Sequence, residues 1–194
     1  MAIAAPLITV LGAVVFSGLV AGLHTVRPRL EPARHMISEY ARGPRGWMMR
    51  SAFYALAAAC ASLAWAVWPQ GRAAAVVLAL AAAGAAGAGL FVTDPPGGGP
   101  STPPGRLHVL FSFVFIPLFP VAATLTAAVP HAGGPALAVL AALGWVGFAA
   151  FLGTPLYLGA VRGVADPPAG YAQRCMVLTY VVFLVVAGVR LGRL

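Results

Sequence analysis

Residues 73–93 read AAAVVLALAAAGAAGAGLFVT, an apolar run without a charged side chain. A helix of about 20 apolar residues is long enough to cross the ~30 Å hydrocarbon layer of a membrane. From Ala81 to Ala88 the run contains only Ala and Gly. Because lipid supplies no hydrophobic force between helices, small residues favour close backbone contact. We therefore expect this helix to lie inside a bundle.

Five further apolar runs of similar length accompany this one. Backbone groups in lipid must bond internally, so each run is predicted to be a helix. Pro117, Pro120 and Pro155 fall within these runs and are expected to kink their helices. The predicted fold is an all-α, integral membrane bundle of six transmembrane helices, forming a single membrane domain over residues 1–194. The predicted spans are about 3–24, 47–68, 73–93, 107–129, 136–158 and 175–191.

The composition of the whole chain agrees with this fold class and excludes others. Of 194 residues, 61% are hydrophobic and only 8% are charged, and the mean hydropathy is +0.91. A soluble domain carries roughly 25% charged residues, so this chain cannot cover a surface that faces water. A soluble enzyme, a disordered protein and a secreted disulfide scaffold are excluded. The two cysteines, Cys60 and Cys175, share no metal-ligand spacing and are interpreted as packing residues.

The net charge of +8 comes from twelve arginines, without any lysine. Arginines between apolar runs are typical of membrane topology signals, so no nucleic-acid partner is expected. Six spans place both termini on one side of the membrane. Nine arginines fall in or beside the first, third and fifth loops, and three fall on the side of the termini. This bias predicts cytoplasmic loops 1, 3 and 5, with both termini outside, in the cell (inner) membrane.

Polar chemistry collects on the arginine-rich side of the predicted bundle. All four acidic residues and three of the four histidines fall there, and only His131 falls on the other side. We therefore expect a polar site at one end of the bundle. The candidate ligand-binding residues are His35, Ser38, Glu39, Asp94, His108 and Arg174.

The first loop, residues 27–47, reads RPRLEPARHMISEYARGPRGW. Pro32 is expected to start a short helix that continues through Tyr40, which would place His35 and Glu39 on one face. This spacing suits a hydrogen-bonded pair or a shared metal ion, with Ser38 beside it to donate to a phosphate or carbonyl. The same composition is also typical of an amphipathic collar over lipid headgroups.

Asp94 closes the third predicted span and His108 opens the fourth. The link between them, DPPGGGPSTPPGR, is rich in Pro and Gly and can fold back tightly. Antiparallel spans would then bring the two residues to similar depth. Three interpretations stay open at this point: an Asp–His pair that orients the imidazole, two ligands of one metal ion, or a helix cap beside an interfacial histidine.

The sequence does not specify a cofactor. A divalent metal would suit the residue types of the polar site, but no three of them have a diagnostic spacing. Since no histidine lies at mid-membrane depth, haem is not supported. Established catalytic motifs are missing, so the sequence does not decide whether the protein is an enzyme. The candidate metal ligands are His35, Glu39, Asp94 and His108.

Three stretches of these loops, HMISEYARG, TDPPGGGPSTPPGRLH and GYAQRCMVL, resemble in order three motifs of a bacterial and archaeal six-span membrane family, domain of unknown function 998. The layout is distantly similar to that of the damage-regulated autophagy modulator family. This chain has Ala41 where relatives often have glycine, so it lacks their glycine turn. The resemblance implies no established activity. It assigns Ile37, Ser38 and Glu39 to the first motif, Asp94, Thr102, Gly105 and His108 to the second, and Gly170, Gln173 and Arg174 to the third.

Three hypotheses about function follow. The first is a module that binds or senses a lipid headgroup, in which Arg174 and nearby arginines hold a phosphate and the kinked spans accept acyl chains. The second is a metal-dependent membrane lipid hydrolase. The third is a structural or assembly subunit of a larger membrane complex. The expected partners are a membrane lipid and either a second copy of the chain or another membrane protein.

Overall fold

The computed structural model describes residues 4–27, 30–95, 101–164 and 167–193. Within these ranges the fold is all-α, with six helices long and apolar enough to cross a membrane, as the sequence predicted. The helices are α1 (Ala4–Val26), α2 (Gly46–Val67), α3 (Arg72–Leu90), α4 (Pro103–Ala127), α5 (Pro135–Pro155) and α6 (Ala169–Leu191).

The six helices form a closed ring. Each helix packs against the next one along the chain, and α6 returns to pack against α1. Contacts between helix ends show which termini lie together: Arg50 near the start of α2 donates to the carbonyl of Gly89 near the end of α3, at 3.0 Å. We call the end of the bundle marked by Arg50, Gly89, His24, His108 and Arg174 the polar end.

The small residues of α3 bring it into close contact with its neighbours. In its most apolar window 56% of the residues are buried, against 28–39% in the other five helices. A Cβ atom on Gly84 would lie 2.7 Å from the backbone nitrogen of Phe115, and one on Gly87 would overlap the ring of Phe111. The expectation that this helix lies inside the bundle is confirmed.

Prolines leave carbonyl groups of α4 and α5 without their usual helical donors. A proline removes the N–H that would bond the carbonyl four residues earlier. Pro120 removes the helical donor of the Ile116 carbonyl. This carbonyl instead accepts a hydrogen bond from the Tyr180 hydroxyl at 2.9 Å. Pro155 marks the point where α5 gives way to a π-helical segment, Leu156–Val161.

Two helices begin earlier than the hydropathy pattern predicted. Helix α4 begins at Pro103, because the Thr102 side chain caps it by accepting a hydrogen bond from the N–H of Gly105. Helix α6 begins at Ala169 rather than at residue 175. Its first two turns carry polar side chains that bind the first loop, and such residues lower the local hydropathy without ending a helix.

Candidate functional site

Arg174, in the second turn of α6, binds the first loop. Its Nη1 donates to the carbonyls of Pro32 and His35, each at 2.8 Å. Its Nε donates to Nε2 of His24 at 3.0 Å, and its guanidinium lies over the ring of Tyr40. Of the three guanidinium nitrogens of Arg174, only Nη2 lacks a hydrogen-bond partner among the described residues. These contacts give Arg174 an anchoring role, whereas the sequence had suggested a phosphate ligand.

Gly170 and Gln173 share this face of α6 with Arg174. The N–H of Gly170 donates to the carbonyl of Ala33 at 2.9 Å. Oε1 of Gln173 accepts the N–H of Ile37 at 2.7 Å. Residues spaced by three and four lie on one side of a helix, so all three reach the same loop. We call Gly170, Gln173 and Arg174 the α6 clasp.

The lack of a side chain at Gly170 is what permits this contact. A Cβ atom there would lie 2.6 Å from the carbonyl oxygen of His35 and would collide with that of Pro32. These neighbours are backbone atoms, which cannot rotate away as a flexible side chain can. The third motif of the sequence therefore serves to hold the first.

His35 and Glu39 form the pair that their spacing suggested, on a different backbone from the one expected. Nδ1 of His35 lies 2.8 Å from Oε2 of Glu39, whose Oε1 accepts the N–H of Met36 at 2.8 Å. The helix predicted from Pro32 is a shorter 3₁₀ helix, Ile37–Ala41. Arg174 binds carbonyl groups just before this 3₁₀ helix, and the Glu39 side chain caps the start of the helix. The pair thus stabilises the loop.

The missing glycine at position 41 does not disturb this loop. Ala41 belongs to the 3₁₀ helix, and the chain turns at Gly43, whose φ of +82° favours glycine. Nη1 of Arg27 donates to the carbonyls of Tyr40 and Arg42 and holds this turn against α1.

Asp94 organises the link to α4. Its Oδ2 accepts the N–H of Thr102 at 2.9 Å, and its Oδ1 accepts the hydroxyl of Thr102 at 2.6 Å. A Cβ atom on Gly105 would collide with this carboxylate. The Thr102 hydrogen bonds hold the pKa of Asp94 below its ordinary value, and the charges of Arg42 and Arg106 lower it further. The geometry agrees with the helix-cap interpretation.

His108 is buried against the end of α3, and its hydrogen bonds are to carbonyl groups, not to Asp94. Its Nδ1 lies 3.0 Å from the oxygen of Ala88 and 2.9 Å from that of Phe91, and the residue is 3% exposed. Carbonyl oxygens only accept hydrogen bonds, so Nδ1 carries the proton. Nε2 has no partner among the described residues, and the side chain lines a cavity.

The four candidate metal ligands therefore lie in three separate places. His35 binds Glu39 in the first loop, Asp94 binds Thr102, and His108 binds the end of α3. Across the described ranges, no group of three His, Cys, Asp or Glu side chains is arranged to hold one metal ion. The divalent-metal hypothesis, and the hydrolase that depends on it, stay predictions.

A cavity of about 680 Å³ lies at the polar end, beneath the first loop. Ser38 and His108, both named from the sequence, line it, together with Gln173 of the α6 clasp. Most of the remaining lining is aliphatic or aromatic. Every helix contributes, as shown by Phe16, Leu56, Ala88, Phe115, Phe148 and Met176 of α1 to α6 in order.

The cavity opens toward the lipid-facing surface between α4 and α5. Val109 and Phe113 of α4, and Leu152 of α5, line it and are also exposed, Phe113 to 67%. Along α4 the lining runs from His108 to Pro117, about 14 Å at 1.5 Å per residue. This length is about half of the ~30 Å hydrocarbon layer, so the cavity faces a single leaflet.

A second groove of about 540 Å³ lies between α2 and α3 near their connection. It is lined by Trp65, Trp68, Val76, Leu80 and several alanines. Among the described residues that line this groove, the indole N–H groups of the tryptophans are the only side-chain groups that can form hydrogen bonds. It therefore lacks the buried polar end that distinguishes the cavity between α4 and α5.

Two contributors to the site were not singled out as ligand candidates from the residues themselves. Gln173 entered only through the family resemblance, and its position one residue before Arg174 was the available signal. His24 accepts a hydrogen bond from Arg174 and packs on Tyr40, with 5.2 Å between the ring centroids. Partners so distant along the chain leave no local pattern.

Neither the curated proteins nor the solved structures contain a match to this chain. The distant similarity to the damage-regulated autophagy modulator family stays a prediction. The model of a family described as protein of unknown function (DUF998) matches residues 10–190, which is nearly the whole chain. The chain belongs to this family.

Proposed function

We propose that this protein binds a membrane lipid in the cavity between α4 and α5. One observation carries the proposal: a cavity that is apolar along most of its length, opens toward lipid, and has buried polar atoms at one end. An amphiphile matches each of these properties. Its chain would lie among the aromatic walls, and its polar group would lie beside Ser38 and His108.

The size and depth of the cavity support this assignment. Small-molecule sites commonly enclose ~300–1,000 Å³, and the cavity lies within that range at about 680 Å³. Its polar atoms lie at the polar end of the bundle, where lipid headgroups also lie. A lipid of one leaflet would therefore enter sideways without moving its headgroup across the hydrocarbon layer.

The proposed binding residues differ in part from those expected from the sequence. Ser38 and His108 remain, and Gln173 joins them as a lining residue. The other candidates would act indirectly. His35, Glu39 and Arg174 hold the first loop, which forms the roof of the cavity. Asp94 holds the residue that caps α4.

We further propose that the protein resides in the cell (inner) membrane with its polar end at the cytoplasmic side. The arginine bias supports this orientation. Part of that bias has a second cause, because Arg27, Arg50 and Arg174 bind backbone carbonyls within the bundle. The alternative role as a subunit of a larger complex, or as a homo-oligomer, stays a prediction.

The experiment compares two tryptophan substitutions on α5. Leu152 lines the cavity, whereas Val146 on the same helix faces outward at 65% exposure and is not a lining residue. Wild type, Leu152→Trp and Val146→Trp are purified in mild detergent, and their retained lipids are identified by mass spectrometry. Size-exclusion profiles and melting temperatures establish that all three are folded.

We expect wild type and Val146→Trp to retain the same lipid species, enriched over the membrane from which they came. Leu152→Trp should lose most of it, because an indole at this position fills the entrance. Equal retention by both variants, or wild-type lipid that merely mirrors the bulk membrane, would overturn the proposal.

A further inference from the structure

We infer that the ligand is an uncharged lipid with a free hydroxyl group, and that this hydroxyl donates a hydrogen bond to Nε2 of His108. The inference deepens the proposed lipid-binding function and rests on it. It rests on a comparison of two sets of atoms in the cavity lining: those that already have hydrogen-bond partners within the protein, and those that do not.

His108 offers an acceptor to the cavity. Its Nδ1 lies within 3.0 Å of two carbonyl oxygens and must carry the proton. In a neutral imidazole the other nitrogen is then an acceptor. A protonated ring would instead place a positive charge in a lining whose described residues include no carboxylate. Since the His108 side chain is 3% exposed and lines the cavity, the donor to this open acceptor must come from whatever occupies the cavity.

Gln173 offers a hydrogen-bond donor to the same cavity. Its Oε1 accepts the N–H of Ile37, which fixes the orientation of the amide. The amide NH₂ has no partner within the part of the chain that the structure describes, and the residue is 8% exposed. The hydroxyls of Ser38, Thr93 and Ser112 also line the cavity, and each can either donate or accept.

A hydroxyl group matches this set, because it donates one hydrogen bond and accepts others. An ether or ester oxygen only accepts, so it would leave Nε2 of His108 unpaired. Leaving a buried polar atom unpaired lowers affinity far more than leaving an exposed one.

A phosphate or carboxylate matches the cavity less well. The described lining residues include no arginine, and Arg174 already binds Pro32, His35 and His24 from outside the lining. Anionic groups prefer fixed cationic donors, and an unpaired buried charge is strongly unfavourable. The structure therefore favours a neutral hydroxylated lipid over a phospholipid headgroup.

The test uses three single-chain compounds that differ only at the polar end: hexadecanol, hexadecyl methyl ether and hexadecyl phosphate. Detergent-purified full chain is loaded with radiolabelled hexadecanol, and each unlabelled compound competes for it. We expect the ether and the phosphate to compete at least ~10-fold more weakly than hexadecanol. This comparison needs no substitution, so it decides the inference even if a variant does not fold.

A matched pair of variants then tests the assignment to His108. In His108→Asn, the side-chain amide nitrogen can replace Nδ1 toward the α3 carbonyls, while no atom replaces Nε2. The control is His131→Asn at the opposite end, where φ is +61°, a conformation that asparagine tolerates. We expect His108→Asn to lose the preference for hexadecanol over the ether, and His131→Asn to keep it.

The failures of the two proposals are distinguishable. Equal competition by all three compounds, or preference for the phosphate, overturns the hydroxyl inference and leaves lipid binding in place. No saturable binding of labelled hexadecanol, together with no lipid enriched in purified wild type, overturns both. A preference that persists in His108→Asn overturns the role of Nε2.

Discussion

Replacing Arg174 by alanine should loosen the first loop, and this substitution separates an anchoring role from a ligand-binding role. The change removes the donors that bind Pro32, His35 and His24, which lie 142, 139 and 150 residues away along the chain. Their acceptor atoms would be left facing a partly buried gap. The α6 clasp would keep only the contacts of Gly170 and Gln173.

The magnitude follows from these contacts. A hydrogen bond from a charged donor contributes ~1.5–3 kcal/mol, and Arg174 makes three to residues outside its own helix. Because Arg174 is only partly buried, water replaces a share of each contact. We therefore expect the free energy of unfolding to fall by ~2–4 kcal/mol.

The assay is reversible unfolding in mixed micelles with increasing denaturing detergent. Arg190→Ala is the control, because Arg190 lies at the other end of the same helix and makes one such contact, to Gly133 at 2.7 Å. We expect a smaller loss there, about 1–2 kcal/mol. Amide hydrogen exchange of Ile37 and Gly170 should accelerate in Arg174→Ala.

Unchanged unfolding of Arg174→Ala would refute this reasoning. If the variant also lost affinity for an anionic phospholipid, Arg174 would be a phosphate ligand, as the sequence first suggested. A loss of stability that is fully additive with that of His24→Ala would show that the two side chains do not interact in the folded protein.

Three further outcomes are expected. Gly170→Ala should lower the free energy of unfolding by ~1–3 kcal/mol because its Cβ meets backbone oxygens, whereas Gly18→Ala, with open space around it, should cause no loss; equal effects in unfolding assays would contradict the packing argument. Since the folded-state pKa of Asp94 is lowered, its stabilising contribution is present above the unfolded value of about 3.9 and is lost as the pH falls through the lower folded value. The stability difference between wild type and Asp94→Asn should therefore shrink on acidification, and a constant difference across that range would count against the Thr102 cap. In a chain without its native cysteines, Gln70→Cys should react with an impermeant maleimide in intact cells and Ser101→Cys should not; the reverse labelling would invert the proposed orientation.

The six helices were accessible from sequence because hydropathy is a local property. An apolar run such as residues 73–93 can be recognised as a membrane span from its own composition, without knowledge of the rest of the chain. The helix starts were less accessible. The beginning of α6 depends on side chains that bind a loop almost 140 residues earlier, and a hydropathy window counts them only as polar.

Some contacts of the candidate residues agree with alternatives that the sequence left open: His35 pairs with Glu39, and Asp94 binds the residue that caps α4. The side chains of His35 and Asp94 are of types that bind metal ions, and that of Arg174 is of a type that binds phosphate. The sequence therefore suggested metal binding and phosphate binding for them. In the structure, Arg174 binds backbone carbonyls and Asp94 binds Thr102. No residue pattern shows where a free carbonyl will lie, so these partners could not be read from the chain.

The cavity was the least predictable feature. It is lined by residues of all six helices, including Pro117 of α4 and Pro155 of α5, and by the first loop. The sequence showed the prolines and the loop but not the space between them. Ser38 and His108 are the candidates that line this space.

Photocrosslinking tests the central claim most directly. A hexadecanol analogue with a diazirine within its chain is added to the full protein in lipid, activated by light, and its attachment sites are mapped by mass spectrometry. We expect labels on residues 109–117 of α4, on residues 148–155 of α5 and on Leu156, with competition by unlabelled hexadecanol. Labels confined to the groove at Trp65 and Trp68, or spread evenly over all lipid-facing helices, would contradict a lipid site between α4 and α5.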